Sequence, residues 1–481
     1  MIENLLAGIY ILVVAGLALY GLVGLLTLWL YWRHRHEDFI CPVVADADLP
    51  LVTVQLPIYN ERFVVGRLIE TAVALDYPPD KLQIQVVDDS TDDTTEIARA
   101  LVVDYQARGV NIQLLHRQNR QGYKAGALAA SLDGATGEYL AIFDADFQPK
   151  PDFLRSTIPH FNVEDDLGMI QARWGHLNAD ATALTGAQAI ALDKHFAMEQ
   201  TVRHRAQLFP KFNGAAGVWR RRCLEDAGGW QADTVCEDLC LSTRAILRGW
   251  QFRFLNDVIA PAELPTSIMA YKNQQARWAK GSIQCLLKFT PEIMRDRQQS
   301  LLARLYAVIS MSGYATHFLL ILLLLLQIPM LWFDVHLTGF MLIFTLIGVG
   351  QPLLFVVAQQ VLYNDWIYRL RHFPTLLLVA VGMAASNSRA MLEVGYGRSH
   401  VFVRTPKGFA NRQKTKQKRQ LPFYRLPFDR ILLFELFFAL YAAVGLILAV
   451  WRGNFGSLFL PVICLLGFGY VAYLGLREWR G

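Results

Sequence analysis

Charged residues and cysteines are scarce in this chain of 481 residues. Charged side chains make up 18% of it and hydrophobic ones 53%, a balance that suits a protein with both membrane-embedded and soluble parts. The six cysteines form neither a CxxC pair nor a Cys/His zinc pattern, so we interpret them as free thiols in a reducing compartment. The patterns GxGxxG and GxxxxGK[ST] are also missing, so nothing supports a dinucleotide-binding fold or a P-loop.

The net charge of +5 is modest, but it is unevenly distributed. Ten Lys and Arg residues and a single Asp lie between Arg398 and Arg430. Such a basic block usually lies in the cytosol near anionic lipid, or meets polyanions. We expect the lipid bilayer to be its partner, and we expect no nucleic acid.

Five apolar runs are long enough to cross a bilayer. The first, Leu5–Leu30, has no basic segment before it and no small-residue cleavage site, so it predicts an anchor. Trp32-Arg33-His34-Arg35 follows it and predicts that this end faces the cytosol. The other four runs are about Gly313–Phe333, Leu337–Leu362, Ile431–Trp451 and Phe455–Leu476.

A sixth run, Phe373–Val394, is ambiguous. Its purely apolar part, Leu376–Ala385, is too short to cross, and polar residues then interrupt it. A crossing would place the block Arg398–Arg430 outside, whereas a helix along the cytosolic interface leaves all the basic segments inside. We therefore predict five spans, with the N-terminus outside and the C-terminus in the cytosol.

Short β-rich runs alternate with amphipathic helices between Leu51 and Thr290. The predicted strands are Val52–Leu56, Ile84–Val87, Ile112–Leu115 and Tyr139–Phe143, and the predicted helices between them are Val64–Ala74, Thr94–Gln106 and Lys124–Leu132. This alternation predicts an α/β layered fold with a mostly parallel sheet. Ligands of such folds bind beyond the carboxyl ends of the strands.

Polar clusters follow three of the predicted strands: Pro57-Ile58-Tyr59-Asn60-Glu61, Asp88-Asp89 and Asp144-Ala145-Asp146. Two carboxylates at one strand end repel each other unless a hard cation lies beside them. Asp144 and Asp146 therefore predict a Mg²⁺ or Mn²⁺ site that would neutralise a diphosphate leaving group. Asp89, with Asp88 in reserve, is the candidate that accepts a hydrogen bond from a nucleotide. The same pair also suits a helix N-cap, and both roles can hold.

Two carboxylates stand together farther along the chain, at Glu237-Asp238, near the start of a predicted helix at Leu239–Leu247. One of them can act as the general base for an acceptor hydroxyl, and helix capping is the plainer alternative. The small-residue loop Phe212–Gly217, which contains Asn213 and Gly214, lets backbone approach a ligand closely, or it is an ordinary turn.

Gln274, Arg277 and Trp278 fall on adjacent helical positions. A guanidinium there can hold phosphate oxygens, and an indole can stack on the apolar face of a sugar ring. An amphipathic helix on the membrane surface would place the same residues at the interface, and the two interpretations are compatible.

The ordered set of motifs resembles the D, DxD, ED and QxxRW pattern of membrane-embedded family 2 glycosyltransferases, the relatives of cellulose and hyaluronan synthases. The matching residues are Asp89, Asp144-Ala145-Asp146, Glu237-Asp238 and Gln274-x-x-Arg277-Trp278. Phe212–Arg220 and Gly228-Gly229-Trp230 are most similar to the cellulose synthase-like A and C branch, the mannan and glucan synthases. The resemblance covers about Leu51–Leu287 and implies a GT-A type fold.

The resemblance also implies a role for each matching residue. Asp238 would be the catalytic base, and Asp144 and Asp146 would handle the metal and the diphosphate. The residues implied in substrate binding are Pro57, Tyr59, Glu61, Asp89, Lys124, Asp144, Asn213, Gly214, Glu237, Gln274, Arg277, Trp278, Thr405 and Lys407.

Thr405 and Lys407 belong to Phe402–Lys407, which resembles the FxVTxK gating loop of cellulose synthases and would have to be cytosolic. The chain departs from the family pattern at Cys236, where Thr is usual, and at Arg404, where Val is usual. Asn213-Gly214-Ala215 replaces the FxCGS acceptor motif.

These inferences predict an inverting, processive synthase of a β-linked glycan, which transfers hexose from UDP-glucose or GDP-mannose to a growing chain at the plasma (inner) membrane. The predicted domains are an anchor at 1–33, a cytosolic GT-A domain at 34–295, and a membrane domain at 296–481 whose basic loop covers 395–430. The alternatives are a lipid glycosyltransferase, like the ceramide or diacylglycerol glucosyltransferases, and an inactive membrane scaffold, against which the intact carboxylates argue. A homo-oligomer or accessory subunits stay open.

Overall fold

The structure is a computed structural model that describes residues 1–37, 39–335, 337, 341–396 and 429–480. An α/β domain follows one long N-terminal helix, and a helical region follows that domain.

Seven strands form one mixed sheet in the order β3-β2-β1-β4-β6-β5-β7. They are β1 (Val52–Ile58), β2 (Leu82–Asp88), β3 (Ile112–His116), β4 (Tyr139–Ile142), β5 (Leu167–His176), β6 (Gly217–Arg220) and β7 (Gln251–Ala262). The pairs β3-β2, β2-β1, β1-β4 and β5-β7 are parallel, and β6 runs antiparallel to both β4 and β5. The expectation of a mostly parallel α/β sheet is confirmed. The four predicted strands correspond to β1–β4, whereas β5, β6 and β7 were not predicted.

The sheet is covered on both faces, so its central strands are buried along nearly their whole length, including polar residues such as Gln55 and Gln85. Every residue of β2 is buried, and β1 is buried except for one position. The helices of this domain are α2 (Val65–Val73), α3 (Thr94–Ala107), α4 (Tyr123–Ser131), α5 (Ala183–Asp193), α6 (Thr201–Arg205), α7 (Arg221–Asp226), α8 (Glu237–Leu247) and α9 (Ile268–Arg295). A π-helical segment, Lys194–Gln200, joins α5 to α6.

The remaining helices are α1 (Ile2–His34), α10 (Leu301–Met311), α11 (Ala315–Trp332), α12 (Met341–Gly348), α13 (Gly350–Leu362), α14 (Trp366–Arg369), α15 (Phe373–Gly382), α16 (Ala384–Gly395), α17 (Ile431–Trp451) and α18 (Phe459–Arg480). Five stretches in the described part of the chain are long and apolar enough to cross a membrane: α1, α11, Leu342–Leu362, α17 and Phe455–Arg480. They coincide with the five predicted runs.

The ambiguous run Phe373–Val394 forms α15 and α16. The stretches Trp366–Gly382 and Ala384–Gly395 meet at an angle of 41°, and counted as one broken span they would raise the number of spans to six. Of the polar residues that interrupt the run, Ser386, Asn387 and Ser388 are buried, whereas Arg389 is exposed. Asn387 Nδ2 lies 3.0 Å from His317 Nε2 on α11. The five-span topology therefore stays a prediction.

Helix α9 connects the α/β domain to the membrane helices through charged groups. Glu478 on α18 accepts hydrogen bonds from the backbone N–H groups of Ile268 and Met269, at 2.7 and 3.1 Å, and so caps the start of α9. One turn later, Lys272 Nζ lies 2.6 Å from Glu435 Oε1 on α17. These contacts hold α9 against the apolar helices on one side while its other side meets the site described below.

Candidate active site

The loops that follow β1 and β2 are tied together at the carboxyl edge of the sheet. Asn60 has a φ of +54°, a conformation that asparagine tolerates better than most residues. Its backbone N–H donates to Ser90 Oγ at 2.8 Å, and its Oδ1 accepts from the N–H of Thr91 at 2.8 Å. Because these bonds join the two strand ends, Asn60 fixes the shape of the pocket wall.

The predicted nucleotide-pocket residues Pro57, Tyr59 and Glu61 all lie on the first of these strand ends. The Arg120 guanidinium lies 3.2 Å from the centroid of the Tyr59 ring, a cation–π contact that was not predicted. Glu61 is buried, and its carbonyl accepts from the N–H of Val65 at 2.9 Å, which starts α2.

The two carboxylates at the end of β2 have different surroundings. Asp88 is fully buried and accepts from Ser90 N–H at 2.8 Å, from Thr95 Oγ1 at 2.6 Å and from His116 Nδ1 at 2.9 Å. Asp89 is held by Arg117, whose Nε and Nη2 lie 2.7 and 2.6 Å from its two oxygens. Asp88 therefore fastens the loop internally, and Asp89 stays the candidate for nucleotide binding.

Lys124 lies at the centre of the site and joins three of the predicted motifs. Its Nζ lies 2.5 Å from Asp144 Oδ1 and donates to the carbonyl of Gly214 at 2.8 Å. Burial opposes its charge, but the negative charges of Asp144, Glu237 and Asp238 outweigh that effect and raise the pKa of Lys124. A cation at this place can approach a diphosphate from the side of the small-residue loop Phe212–Gly217, which we call the acceptor loop.

Asp144 and Asp146 are half-buried and lie in the turn that follows β4, which a bond from Phe147 N–H to Asp144 O closes at 3.0 Å. Within the described residues, no three His, Cys, Asp or Glu side chains lie together in a way that could hold a metal ion by themselves. Two carboxylates completed by substrate oxygens are the donor set that Mg²⁺ usually receives from proteins. The pair Asp144 and Asp146 fits a divalent cation of that kind.

Glu237 and Asp238 begin α8, where the helix dipole favours carboxylates. Asp238 Oδ1 accepts from Leu239 N–H at 2.8 Å, and its Oδ2 lies 3.2 Å from the place that a Cβ on Gly214 would occupy. Burial raises the pKa of Asp238, although Lys124, Lys211 and Arg277 oppose the shift. Burial, reinforced by the charge of Asp238, also raises the pKa of Glu237.

Helix α9 packs directly on the turn that precedes these carboxylates. A Cβ on Gly281 would overlap the side chain and backbone of Cys236, so only glycine permits this approach. Gln284 Oε1 accepts from Val235 N–H at 2.8 Å and fixes the same turn. Arg277 lies one helical turn before Gly281, and its positive charge is close enough to Glu237 and Asp238 to oppose the rise in their pKa values.

The structure thus gathers Lys124, Asp144, Gly214, Glu237, Asp238 and Arg277 at one place, with Asp89 at the neighbouring strand end. Gln274 and Trp278 are half-buried on the same helix as Arg277. The gating-type loop Phe402–Lys407, with Thr405 and Lys407, lies outside the described residues.

Several charged residues of the site were not predicted. Arg117 and Arg120 engage Asp89 and Tyr59. Lys211 lies near Asp238, and burial together with the charge of Arg203 lowers the pKa of Lys211 to about 8. His195 and Glu199, four residues apart, contact each other, and His195 also contacts Asn213 of the acceptor loop. Only this last pair has a sequence signal, namely its i,i+4 spacing.

Known proteins resemble this chain in the same region. The family model described as "Glycosyltransferase like family 2" matches residues 50–281. Glucomannan 4-beta-mannosyltransferase 2 of Arabidopsis thaliana is 40% identical over 291 residues, which is 58% of this chain and 54% of the relative. Glucomannan 4-beta-mannosyltransferase 1 of Oryza sativa subsp. japonica is 40% identical over 287 residues, or 57% and 55%. The chain spans about half the length of the curated relatives it matches.

Among solved structures, the mannosyltransferase PcManGT from Pyrobaculum calidifontis, in complex with GDP-Man and Mn²⁺, aligns with a TM-score of 0.56 and 21% identity. The alignment covers 83% of this chain and 100% of that one. This likeness confirms the expected GT-A fold. The family match and the identity to the plant proteins confirm the resemblance to family 2 glycosyltransferases that the motifs indicated. The chain therefore carries a family 2 glycosyltransferase domain at residues 50–281.

Proposed function

We propose that the chain is an inverting β-glycosyltransferase that transfers a hexose from a nucleotide sugar to a growing β-linked glycan beside the membrane. The observation that carries the proposal is the convergence of Asp144, Lys124, Gly214 and Asp238 next to helix α9. A site for a diphosphate and a site for a proton acceptor thereby face each other across the acceptor loop.

GDP-mannose is the donor that the relatives favour, and UDP-glucose is the second candidate. The plant relatives are named as glucomannan 4-beta-mannosyltransferases, and the archaeal neighbour is a mannosyltransferase with bound GDP-Man. The base and ribose would lie between Tyr59 and Asp89, because both flank the pocket at the ends of adjacent parallel strands.

The diphosphate would lie near Lys124, Asp144 and Asp146. Lys124 and Arg277 supply positive charge for the leaving group, and each already lies close to the carboxylates of the site. A Mg²⁺ or Mn²⁺ ion bound by Asp144 and Asp146 would supply Lewis-acid stabilisation of the same charge. The archaeal neighbour contains Mn²⁺, which supports this assignment.

Asp238 is the proposed base. It would take the proton of the acceptor hydroxyl while that oxygen attacks the anomeric carbon from the face opposite the departing diphosphate, which inverts the configuration. A raised pKa makes a carboxylate a stronger base, and burial raises that of Asp238. Glu237, beside it, would hold the substrate rather than take the proton.

The membrane helices suggest what becomes of the product. Because α9 carries Arg277 and Trp278 on one side and is fastened to α17 and α18 by Lys272 and Glu478, the acceptor end of the site adjoins the apolar helices. We propose that the glycan grows processively and passes outward along these helices. The same proposal places the catalytic domain at the cytosolic face of the plasma membrane, with or without further subunits.

The test is product formation by the full chain in purified membranes. Radiolabelled GDP-mannose and UDP-glucose are supplied separately, and labelled polymer is separated from labelled lipid. Label in an alkali-stable polymer that a β-mannanase or β-glucanase releases is expected. Its loss in excess EDTA, and its return with Mn²⁺, is expected as well. Label confined to a lipid fraction would overturn the polymer proposal in favour of lipid glycosylation, and full activity in EDTA would overturn the metal.

A further inference from the structure

The long helix that passes beneath the acceptor loop is interrupted by a π-helical segment. It begins as α5, continues through Lys194–Gln200 with i→i+5 geometry, and ends as α6. A π segment inserts a residue and rotates the side chains that follow, at a cost in helical regularity, and such segments are frequent at functional sites. Two of its residues, His195 and Gln200, contact the acceptor loop, and a third, Glu199, contacts His195.

Gln200 and His195 hold the side-chain amide of Asn213 at its two ends. Gln200 Nε2 donates to Asn213 Oδ1 at 2.6 Å and to the carbonyl of Lys211 at 2.6 Å. The carbonyl of Lys211 can only accept, so the Gln200 atom that faces it is the amide nitrogen. The Asn213 atom that faces the same nitrogen is therefore the side-chain oxygen. Asn213 Nδ2 then donates to His195 Nε2, at 2.9 Å.

The direction of these bonds determines the tautomer of His195. Its Nε2 accepts from Asn213, so its proton is on Nδ1, which donates to Glu199 Oε2 at 2.8 Å. Lys194 Nζ lies 2.5 Å from the other oxygen of Glu199 and keeps that carboxylate charged. Burial lowers the pKa of His195 to about 4, with the charges of Lys211 and Arg203 adding to the shift, so the ring is neutral as the network requires.

The network ends next to the proposed base. Asn213 N–H donates to Gln171 Oε1 at 2.8 Å, and the next residue, Gly214, has a φ of +84° and offers its carbonyl to Lys124. Asp238 Oδ2 lies 3.2 Å from the position that a Cβ on Gly214 would occupy. A shift of Asn213 would therefore move the backbone that separates Lys124 from Asp238.

We propose that His195 and Glu199 are positioning residues for sugar transfer: through Asn213 they hold the acceptor loop so that an acceptor hydroxyl is directed at Asp238. The inference rests on the proposed glycosyltransferase function. The π segment belongs to the acceptor side of the site, because its side chains contact Asn213 and Lys211. The nucleotide-side residues Tyr59 and Asp89 instead contact Arg120 and Arg117.

The test compares two reactions of the same purified full chain, namely transfer of the labelled sugar to glycan and hydrolysis of the donor by water. His195→Ala is expected to lower transfer by about 10- to 100-fold, because misplacement of a reacting group by about 1 Å costs that much. Donor hydrolysis and the Kd for the nucleotide are expected to change by less than about 3-fold. His195→Gln keeps an acceptor near the position of Nε2 and is expected to restore most of the transfer.

His176→Gln is the matched control. His176 is also buried and pairs with a carboxylate, Asp193 Oδ1 at 2.9 Å, just before the π segment, but its contacts lead to Gln359 and Tyr363 on the side of α13. This variant is expected to lower the Tm and to leave the ratio of transfer to hydrolysis unchanged. Glu199→Gln, which removes the charge that fixes the tautomer, serves as a second variant should His195→Ala fold poorly.

Two outcomes would overturn the inference: normal transfer by His195→Ala, or an equal loss of transfer and hydrolysis in both His195→Ala and Glu199→Gln. Failure of the proposed function has a different signature, since the unaltered chain itself would then transfer no sugar.

Discussion

Lys272→Met is expected to destabilise the junction between the catalytic domain and the membrane helices more than any ordinary surface substitution. Lys272 is 2% exposed, and its ammonium lies 2.8 Å from Asp429 Oδ2 and 2.6 Å from Glu435 Oε1. Glu435 is fully buried on α17. Removal of the lysine would leave that carboxylate without its compensating charge in an apolar surrounding, where an unpaired charge is costly.

The magnitude follows from how buried ion pairs respond to the loss of one partner. Breaking such a pair typically costs about 3–5 kcal/mol, whereas replacing both partners by apolar residues is often nearly neutral. Lys272→Met should therefore cost about 3–5 kcal/mol, and the double variant Lys272→Met/Glu435→Leu should be clearly more stable than the single one. Asp429 is 22% exposed at the side chain and can be hydrated, so its loss of a partner costs less.

Tryptophan fluorescence monitors the unfolding of the purified chain in detergent. The unaltered chain, Lys272→Met, Glu435→Leu and the double variant are compared, which together form a double-mutant cycle. Lys288→Met is the matched control on the same helix, because Lys288 pairs with Asp233 where the two side chains are 32% and 50% exposed and so are accessible to water. That variant should change the unfolding free energy by at most about 1 kcal/mol. If the double variant is as unstable as the sum of the two single ones, the buried pair is not coupled and the reasoning is refuted.

Three further predictions concern catalysis and topology. Asp238→Asn should lower transfer by about 10²–10⁴-fold with nearly unchanged nucleotide binding, and near-normal turnover would contradict its role as base. Burial raises the pKa of Asp238, and the protonated carboxyl cannot accept a proton. On acidification the transfer rate should therefore begin to fall at a higher pH than the one at which an ordinary aspartate becomes protonated. A transfer rate that stays constant down to the pH range of an ordinary aspartate would argue against Asp238 as the base. A cysteine at Thr415 should resist an impermeant thiol reagent in intact cells and react after permeabilisation, and labelling from outside would overturn the cytosolic placement of Arg398–Arg430.

The amino-acid sequence alone was enough to predict what depends on local periodicity. Four strands and their helices follow from runs with periods of two and 3.6 residues, and the acidic motifs follow from their position after those strands. The five apolar stretches could likewise be predicted from length and hydropathy. The set of motifs also sufficed for the family, which the comparisons confirm.

Other features were decided by the tertiary structure, because they join residues that are far apart in the chain. β5 and β7 pair across some 80 residues, and the short strand β6 lies between β4 and β5 in an antiparallel direction that no local pattern indicates. The π segment is visible only once the backbone hydrogen bonds of the helix are known.

The charged contacts show most clearly which features can be predicted from the sequence and which depend on the tertiary structure. Asp89 could be predicted as a site residue, but its partner Arg117 depends on how β2 and β3 lie side by side. Lys272 and Glu435 are separated by more than 160 positions, and in the sequence each is an isolated charge. A buried ion pair forms only where folding removes both groups from water at one place, so its existence is a property of the packed molecule and of no segment taken alone.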